Sequence, residues 1–269
     1  MTASPLVNSE PLRALLSSRP LGLFSDIDGT LAPIVLRPEE ARVTTRCREL
    51  LGRLMECGVR VALVTGRPLE RAREMTGFGG AAYAASHGLE LWVDGRAESL
   101  EDASEYPRLV ERVLAEARDL EGAGVLVERK GAGVAFHYRR AASSETARAA
   151  ISRAIASPTA VEKFTVLEGR KVFELRPKID VNKGTAARIL ASRLGVKSVL
   201  CIGDDRTDVD MFHAVSALRD EGIAGMSVAV LSPEVAPDVL EAADYSVDGV
   251  EGVEWLLGEV LTAVKTASR

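Results

Sequence analysis

Two short acidic runs stand out for their spacing: Asp26-Ile27-Asp28-Gly29-Thr30 and Gly203-Asp204-Asp205-Arg206-Thr207-Asp208. Carboxylates gathered in one place repel, by about 4 kcal/mol for two unit charges 4 Å apart at an effective dielectric of ~20. An oxygen-ligated hard cation cancels that repulsion. Mg2+, held by one or two carboxylates with waters and a substrate phosphate, is the cation that fits best. A single loop Asp is as a rule a turn former or helix cap. Two clusters that each follow an apolar run point instead to a shared metal. Thr65-Gly66-Arg67 stands where an apolar run meets a helical pattern, and offers a hydroxyl and backbone N–H groups to an anion. Lys183, at the start of a predicted helix, gains nothing from the helix dipole as an exposed cation. A phosphate between dipole and ammonium would give it a reason to be there.

These residues need elements that bring them together. Gly22–Ser25 is a short apolar run ending in acid, as a buried strand does, and residues 59–64 and 81–86 read as two further strands. Residues 44–57 carry Leu50, Leu51, Leu54 and Met55 at helical spacing before Gly58, and Pro68 suits the first turn of a second helix. Residues 182–195 read as a helix, 197–203 as a strand ending in the second acidic cluster, 227–230 and 244–247 as short strands, and 252–265 as a closing helix. The alternation predicts an α/β fold, a doubly wound, Rossmann-like parallel sheet with helices on both faces. Ligands in such sheets bind beyond the carboxyl ends of the strands, so both acidic clusters are expected to face one crevice.

The middle third differs. A helix over 106–120, strands over 124–130 and 133–140, a helix over 144–155 and strands over 163–169 and 171–177 make a helix–hairpin–helix–hairpin run, with tight connections at Gly131-Ala132-Gly133 and Glu168-Gly169-Arg170. This predicts an inserted α+β cap on an antiparallel sheet, spanning 105–178, within a core made of 1–104 and 179–269. The first twenty residues read as a loose arm and a short helix.

The 269 residues are 46% hydrophobic and 27% charged, an ordinary globular balance that excludes disorder and fibrous repeats. The net charge of −5 and the lack of a basic block argue against nucleic acid as a partner. No apolar stretch approaches the ~20 residues of a membrane span, and the first residues do not read as a signal peptide. Cys47, Cys57 and Cys201 form no CxxC pair, so reduced thiols in a cytoplasmic protein are expected. The sequence contains neither GxxxxGK[ST] nor GxGxxG.

SDIDGTLAPIV, VTGRP, NKG and GDDRTD resemble, in order, the four motifs of the haloacid-dehalogenase-like (HAD) phosphatases. SHGLELW, the ERK and HYR segments, KVFELRP and GDDRTDVDMF extend the resemblance over roughly residues 20–260, to the trehalose-6-phosphate phosphatase family. Ile27 replaces a common aromatic and Val209 a common acid. The resemblance implies Asp26 as a nucleophile that forms an aspartyl-phosphate and Asp28 as the general acid and base. It also implies Mg2+ held by Asp26, Asp204 and the Asp28 carbonyl, with Asp205 and Asp208 beside them. Thr65 and Lys183 would bind the transferring phosphoryl group, with Gly66, Arg67 and His87 near the substrate. The cap is implied to close over the site as a lid, with Glu128, Arg129, Lys130, Arg139 and Glu174 gripping a distal sugar. The implied substrate is a small sugar phosphate, trehalose 6-phosphate, handled by a monomer or weak homo-oligomer. The alternatives are sucrose phosphate, mannosyl-phosphoglycerate or an aminocyclitol phosphate with the same chemistry, or a phospho-signalling receiver. Asp28, the insertion and the length argue against the receiver.

Overall fold

The apolar runs that end in the two acidic clusters lie side by side in the middle of one sheet. The computed structural model describes residues 2–35, 37–99, 104–130, 132–169 and 171–267; the side chains of 38, 99, 118, 119, 121 and 130 fall outside that description. Contacts divide the chain into two units, 1–98 with 181–269, and 99–180.

In chain order the first unit holds β1 (Ser4–Pro5), α1 (Glu10–Leu15), β2 (Leu21–Ser25), α2 (Thr45–Glu56), β3 (Arg60–Val64), α3 (Leu69–Thr76), β4 (Ala82–Ala85), β5 (Glu90–Val93) and β6 (Arg96–Ser99). The second unit follows with α4 (Tyr106–Glu116), β7 (Leu126–Lys130), β8 (Gly133–His137), α5 (Ser144–Ile155), α6 (Pro158–Lys163), β9 (Phe164–Gly169) and β10 (Val172–Pro177). The first unit resumes with α7 (Lys183–Arg193), β11 (Ser198–Gly203), α8 (Arg206–Asp220), β12 (Ala224–Leu231), α9 (Pro237–Ala242), β13 (Tyr245–Asp248) and α10 (Gly249–Thr266).

The large sheet runs β1-β13-β12-β11-β2-β3-β4-β5-β6. It is parallel from β1 to β4, and β5 then pairs antiparallel to β4. β2 and β11 are buried at every position, which is why they read as continuous apolar runs. One face of the sheet packs Leu23, Leu63, Leu200, Ile202 and Val228 against Leu50, Leu51 and Leu54 of α2 and Leu256, Leu257 and Val260 of α10. Helices α7 and α8 pack on each other away from that cluster. The predicted doubly wound α/β fold is present. Among the described residues no helix is long and apolar enough to cross a membrane.

Several features depart from the sequence reading, the short helix α9 among them. The arm at the N-terminus is tied down: Ser4 and Pro5 pair with Tyr245 and Ser246, and Leu6 is buried. Residues 90–99 form two strands where none was expected, joined at Asp94-Gly95, both with positive φ. Residues 206–220 are a helix, and so is the short α6 segment.

The second unit is a four-stranded antiparallel sheet, β7-β8-β10-β9. Register puts Val127, Phe136 and Phe173 on one face with Arg129, Val134, Leu175 and Val166. The other face carries Glu128, Ala135, Glu174 and Leu167, then Arg176 and Thr165. The antiparallel α+β cap read from the sequence is this unit. Gly131 and Arg170, within its two expected turns, lie outside the described residues.

Candidate active site

The residue after each central strand is an aspartate. Strand β11 runs parallel to β2 with Ile202 opposite Ser25, and the Asp26 N–H donates to the Ile202 carbonyl at 3.0 Å. Asp26 and Asp204 therefore leave neighbouring strands at the same edge, as expected. One carboxylate oxygen each from Asp26, Asp204 and Asp208 lies within 4.8 Å of the others. Gly29, at φ +80°, makes the turn that admits Asp204: a Cβ there would stand 2.0 Å from Asp204 Oδ2. Thr30 Oγ1 donates to Asp204 Oδ1 at 3.1 Å.

Lys183 is the structural surprise. It opens α7, whose Asn182 cap accepts from Thr185 N, yet it is only 2% exposed. Its Nζ lies 2.8 Å from Asp208 Oδ1, 3.1 Å from Asp26 Oδ1 and 3.9 Å from Asp205 Oδ1. The lysine is thus buried rather than exposed, and these carboxylates account for a cation at this helix start. Burial pushes its ammonium pKa down, but Asp208, Asp26 and Asp205 carry it well above the ordinary lysine value.

Asp208 is fully buried, and both its oxygens are used. Oδ1 takes Lys183, and Oδ2 accepts the N–H groups of Asp204 and Asp205 at 3.0 and 3.1 Å. Asp205 accepts from Thr207 N and Oγ1, and so caps α8 with half its side chain exposed. It stands outside the three-carboxylate cluster. Of the expected metal residues, Asp26, Asp204 and Asp208 are the carboxylates brought together, and Asp208 also holds the loop that presents Asp204. Burial pushes Asp26 well above the usual carboxylate range; Lys183 opposes this and Asp208, Asp204 and Asp205 add to it. Burial with the charge of Asp208 raises Asp204 to about 7, against Thr30. Oxygen donors under such unrelieved repulsion fit a hard divalent cation.

Beyond β3, Thr65 is buried, and its Oγ1 accepts the N–H of Arg67 at 3.2 Å. Arg67 is joined to Asp28 by two bonds of 2.6 Å, Nε to Oδ2 and Nη2 to Oδ1. His87 N–H donates to the Thr65 carbonyl, and Ser86 N–H to that of Arg67. Ser86 and His87 both have positive φ, at 50° and 58°. The His87 ring lies against Gly66, where a Cβ would come within 2.6 Å of it. Thr65, Gly66, Arg67 and His87 are therefore one locked assembly.

A family model described as trehalose-phosphatase matches residues 24–251, a span containing every residue of this site. The chain belongs to the trehalose-phosphatase family. It is 34% identical over 232 residues to the trehalose-phosphate phosphatase of Mycobacterium leprae (strain TN), covering 81% of this chain and 52% of that protein. With the Mycobacterium marinum (strain ATCC BAA-535 / M) trehalose-phosphate phosphatase it shares 38% over 203 residues, 72% of this chain and 51% of that one. The chain thus spans about half the length of the curated relatives it matches. The solved C-terminal domain of Candida albicans trehalose-6-phosphate phosphatase has the same fold, with a TM-score of 0.72 at 23% identity over 97% of this chain and 99% of that one. Aspergillus fumigatus trehalose-6-phosphate phosphatase gives 0.66 at 25%, over 98% of this chain and 100% of that one.

The trehalose-phosphatase cap residues read from the sequence do not converge. Glu128 and Glu174 share the polar sheet face, where Glu128 Oε2 meets His137 Nε2 at 2.8 Å and Glu174 meets Arg176 at 3.2 Å. Arg129 is on the opposite face, held by Glu111 of α4 at 2.8 Å, so it is corrected to a strand–helix tie. Arg139 lies in the exposed turn after β8. Lys130 is in β7, its side chain outside the described residues. His137 and Arg176 share the polar sheet face with Glu128 and Glu174 and are not among the cap residues read from the sequence. Strand alternation would have found both: His137 stands two residues from Ala135, and Arg176 two from Glu174.

Proposed function

We propose that the chain is a cytoplasmic, Mg2+-dependent phosphatase that hydrolyses trehalose 6-phosphate to trehalose and inorganic phosphate through an aspartyl-phosphate. The observation that carries this is Asp26 itself, a buried carboxylate at a strand end, 3.1 Å from a buried ammonium and clustered with Asp204. Mg2+, held by Asp26 and Asp204, supplies charge neutralisation at the phosphoryl oxygens when bound.

Asp26 attacks phosphorus, forming the carboxyl–phosphorus bond as the bond to the sugar oxygen breaks. Asp28, which first takes up a proton from solvent, gives it to that oxygen. A water then attacks the phospho-aspartate, Asp28 takes the water's proton, and phosphate leaves with Asp26 restored. Lys183 and Thr65 stabilise the transferring oxygens; with its own lone pairs shared by Arg67 N–H, Thr65 Oγ1 keeps its proton to donate. The polar sheet face of Glu128, His137, Glu174 and Arg176 supplies donors and acceptors for sugar hydroxyls. Three unpaired cysteines, two of them buried, suit a reducing compartment.

The test is phosphate release across a sugar-phosphate panel, with and without chelator. Trehalose 6-phosphate is expected to lead the panel, and chelation to stop turnover. Equal rates on trehalose 6-phosphate and glucose 6-phosphate would overturn the substrate and leave the chemistry.

A further inference from the structure

The bidentate contact between Arg67 and Asp28 is not explained by phosphate binding alone. Each oxygen of Asp28 receives its own N–H, Oδ2 from Nε and Oδ1 from Nη2, both at 2.6 Å. The side chains are 17% and 29% exposed, so this is no solvated surface pair. A fork-on-fork contact fixes a carboxylate's orientation as well as its charge, which one ammonium cannot do. While both bonds persist, Asp28 has no oxygen facing a leaving group with its full acceptor and donor capacity.

The Arg67 backbone is pinned on both sides. Its N–H is held by Thr65 Oγ1 and its carbonyl accepts from Ser86 N–H at 2.8 Å. Any adjustment must therefore come from the side chain. A cavity of about 140 Å3 adjoins it, lined by Arg67 together with Glu39, Arg42, Arg71 and Glu74. It gives the guanidinium room, and carboxylates to turn toward. The guanidinium also lies within electrostatic reach of Asp26.

We propose that Arg67 is the positioning residue for Asp28: its guanidinium holds the ionised carboxylate by two bonds until a phosphoryl oxygen draws Nη2 away, leaving Nε on Oδ2 and freeing Oδ1 to take a proton from solvent and pass it to the leaving oxygen. Five guanidinium N–H groups make the exchange possible without letting Asp28 go. The proposal rests on the reading of Asp28 as the acid and base.

The experiment is a double-mutant cycle of Arg67→Ala and Asp28→Asn, under single-turnover conditions with trehalose 6-phosphate and Mg2+. Arg67→Ala is expected to lower the maximal rate about tenfold or more, part of the ~10²–10⁴ that acid–base catalysis contributes, while half-saturation moves less than about threefold. In the Asp28→Asn background the same substitution should cost less than about twofold. Arg67→Lys should restore part of the rate, and it carries the cycle if the alanine variant fails to fold by circular dichroism. Losses that multiply, or a loss confined to half-saturation, would overturn the proposal. A wild-type protein inactive on the whole sugar-phosphate panel would instead fail the phosphatase reading; an active wild type with multiplying losses fails only this one.

Discussion

Replacing Asp204 by Asn should stabilise the metal-free protein at neutral pH while abolishing its response to Mg2+. Asp204 is lifted from 3.8 to about 7 by burial and by Asp208. A folded-state value above the unfolded one means that the carboxylate form is disfavoured in the fold. The penalty is absent below about pH 4, grows between about 4 and 7, and is complete above that. Three units at ~1.4 kcal/mol each give about 4 kcal/mol, and partial solvent exposure reduces this to about 2. Asn keeps an oxygen for the Thr30 hydroxyl at 3.1 Å and carries no charge. At pH 8 with chelator, the variant should melt about 4–8 °C above wild type, and the gap should close as pH falls toward 4. Adding Mg2+ should raise the wild-type midpoint and leave the variant nearly unmoved. Thermal melts at three pH values, with and without Mg2+, decide it. A variant no more stable than wild type at pH 8 without metal, or one that gains equally from Mg2+, would refute the claim that repulsion around Asp204 is what the cation relieves.

Asp26→Asn should abolish phosphate release in the panel assay without loss of thermal stability, and retained turnover would exclude a covalent aspartyl intermediate. Lys183→Met strands Asp208 and Asp26 without their ammonium, and urea unfolding should show a loss of about 3–5 kcal/mol. Gly29→Ala puts a Cβ into the space of Asp204 at a backbone angle that costs about 1–2 kcal/mol. It should weaken Mg2+ binding, read by calorimetry, with unchanged far-ultraviolet circular dichroism.

What the sequence made legible was whatever is local or periodic. Strands buried on both faces announce themselves as unbroken apolar runs, so β2, β3 and β11, with the acids that follow β2 and β11, are legible in the sequence. Helix α8 carries the same kind of signal, since Met211, Phe212, Val215 and Leu218 are all buried and recur at helical spacing behind the acidic motif that begins it. The β5–β6 hairpin had its signal too, in Asp94-Gly95. Strand β1 had none, because two residues carry no pattern and β13 alone makes them a strand. The partners of Lys183 were illegible for the same reason: Asp208 and Asp26 reach it through chain crossovers, not spacing. The pairing of Arg67 with Asp28 likewise joins two loops. Arg129 is the opposite case, since consecutive strand residues cannot share a face, and 128, 129 and 130 could never all have gripped one sugar.

The arrangement around Asp208 shows how the fold keeps this site acidic without letting it fly apart. Asp208 has no exposure, and three N–H donors converge on it: one ammonium and two backbone groups. The two backbone donors belong to Asp204 and Asp205, so the loop that presents Asp204 is fixed from beneath by a residue of the helix it introduces. The ammonium is shared with Asp26, so the nucleophile's strand is tied to the same anchor. Lys183 is then one positive charge set among Asp26, Asp204, Asp205 and Asp208. Asp28 adds nothing to that sum, because Arg67 neutralises it. Positions are thereby over-determined while charge is left unbalanced, and Asp204 carries the imbalance in its raised pKa. A purely structural ion-pair network would be expected to balance its charges, because buried uncompensated charge costs several kcal/mol. A site that must accept a divalent cation gains from leaving that balance to the cation.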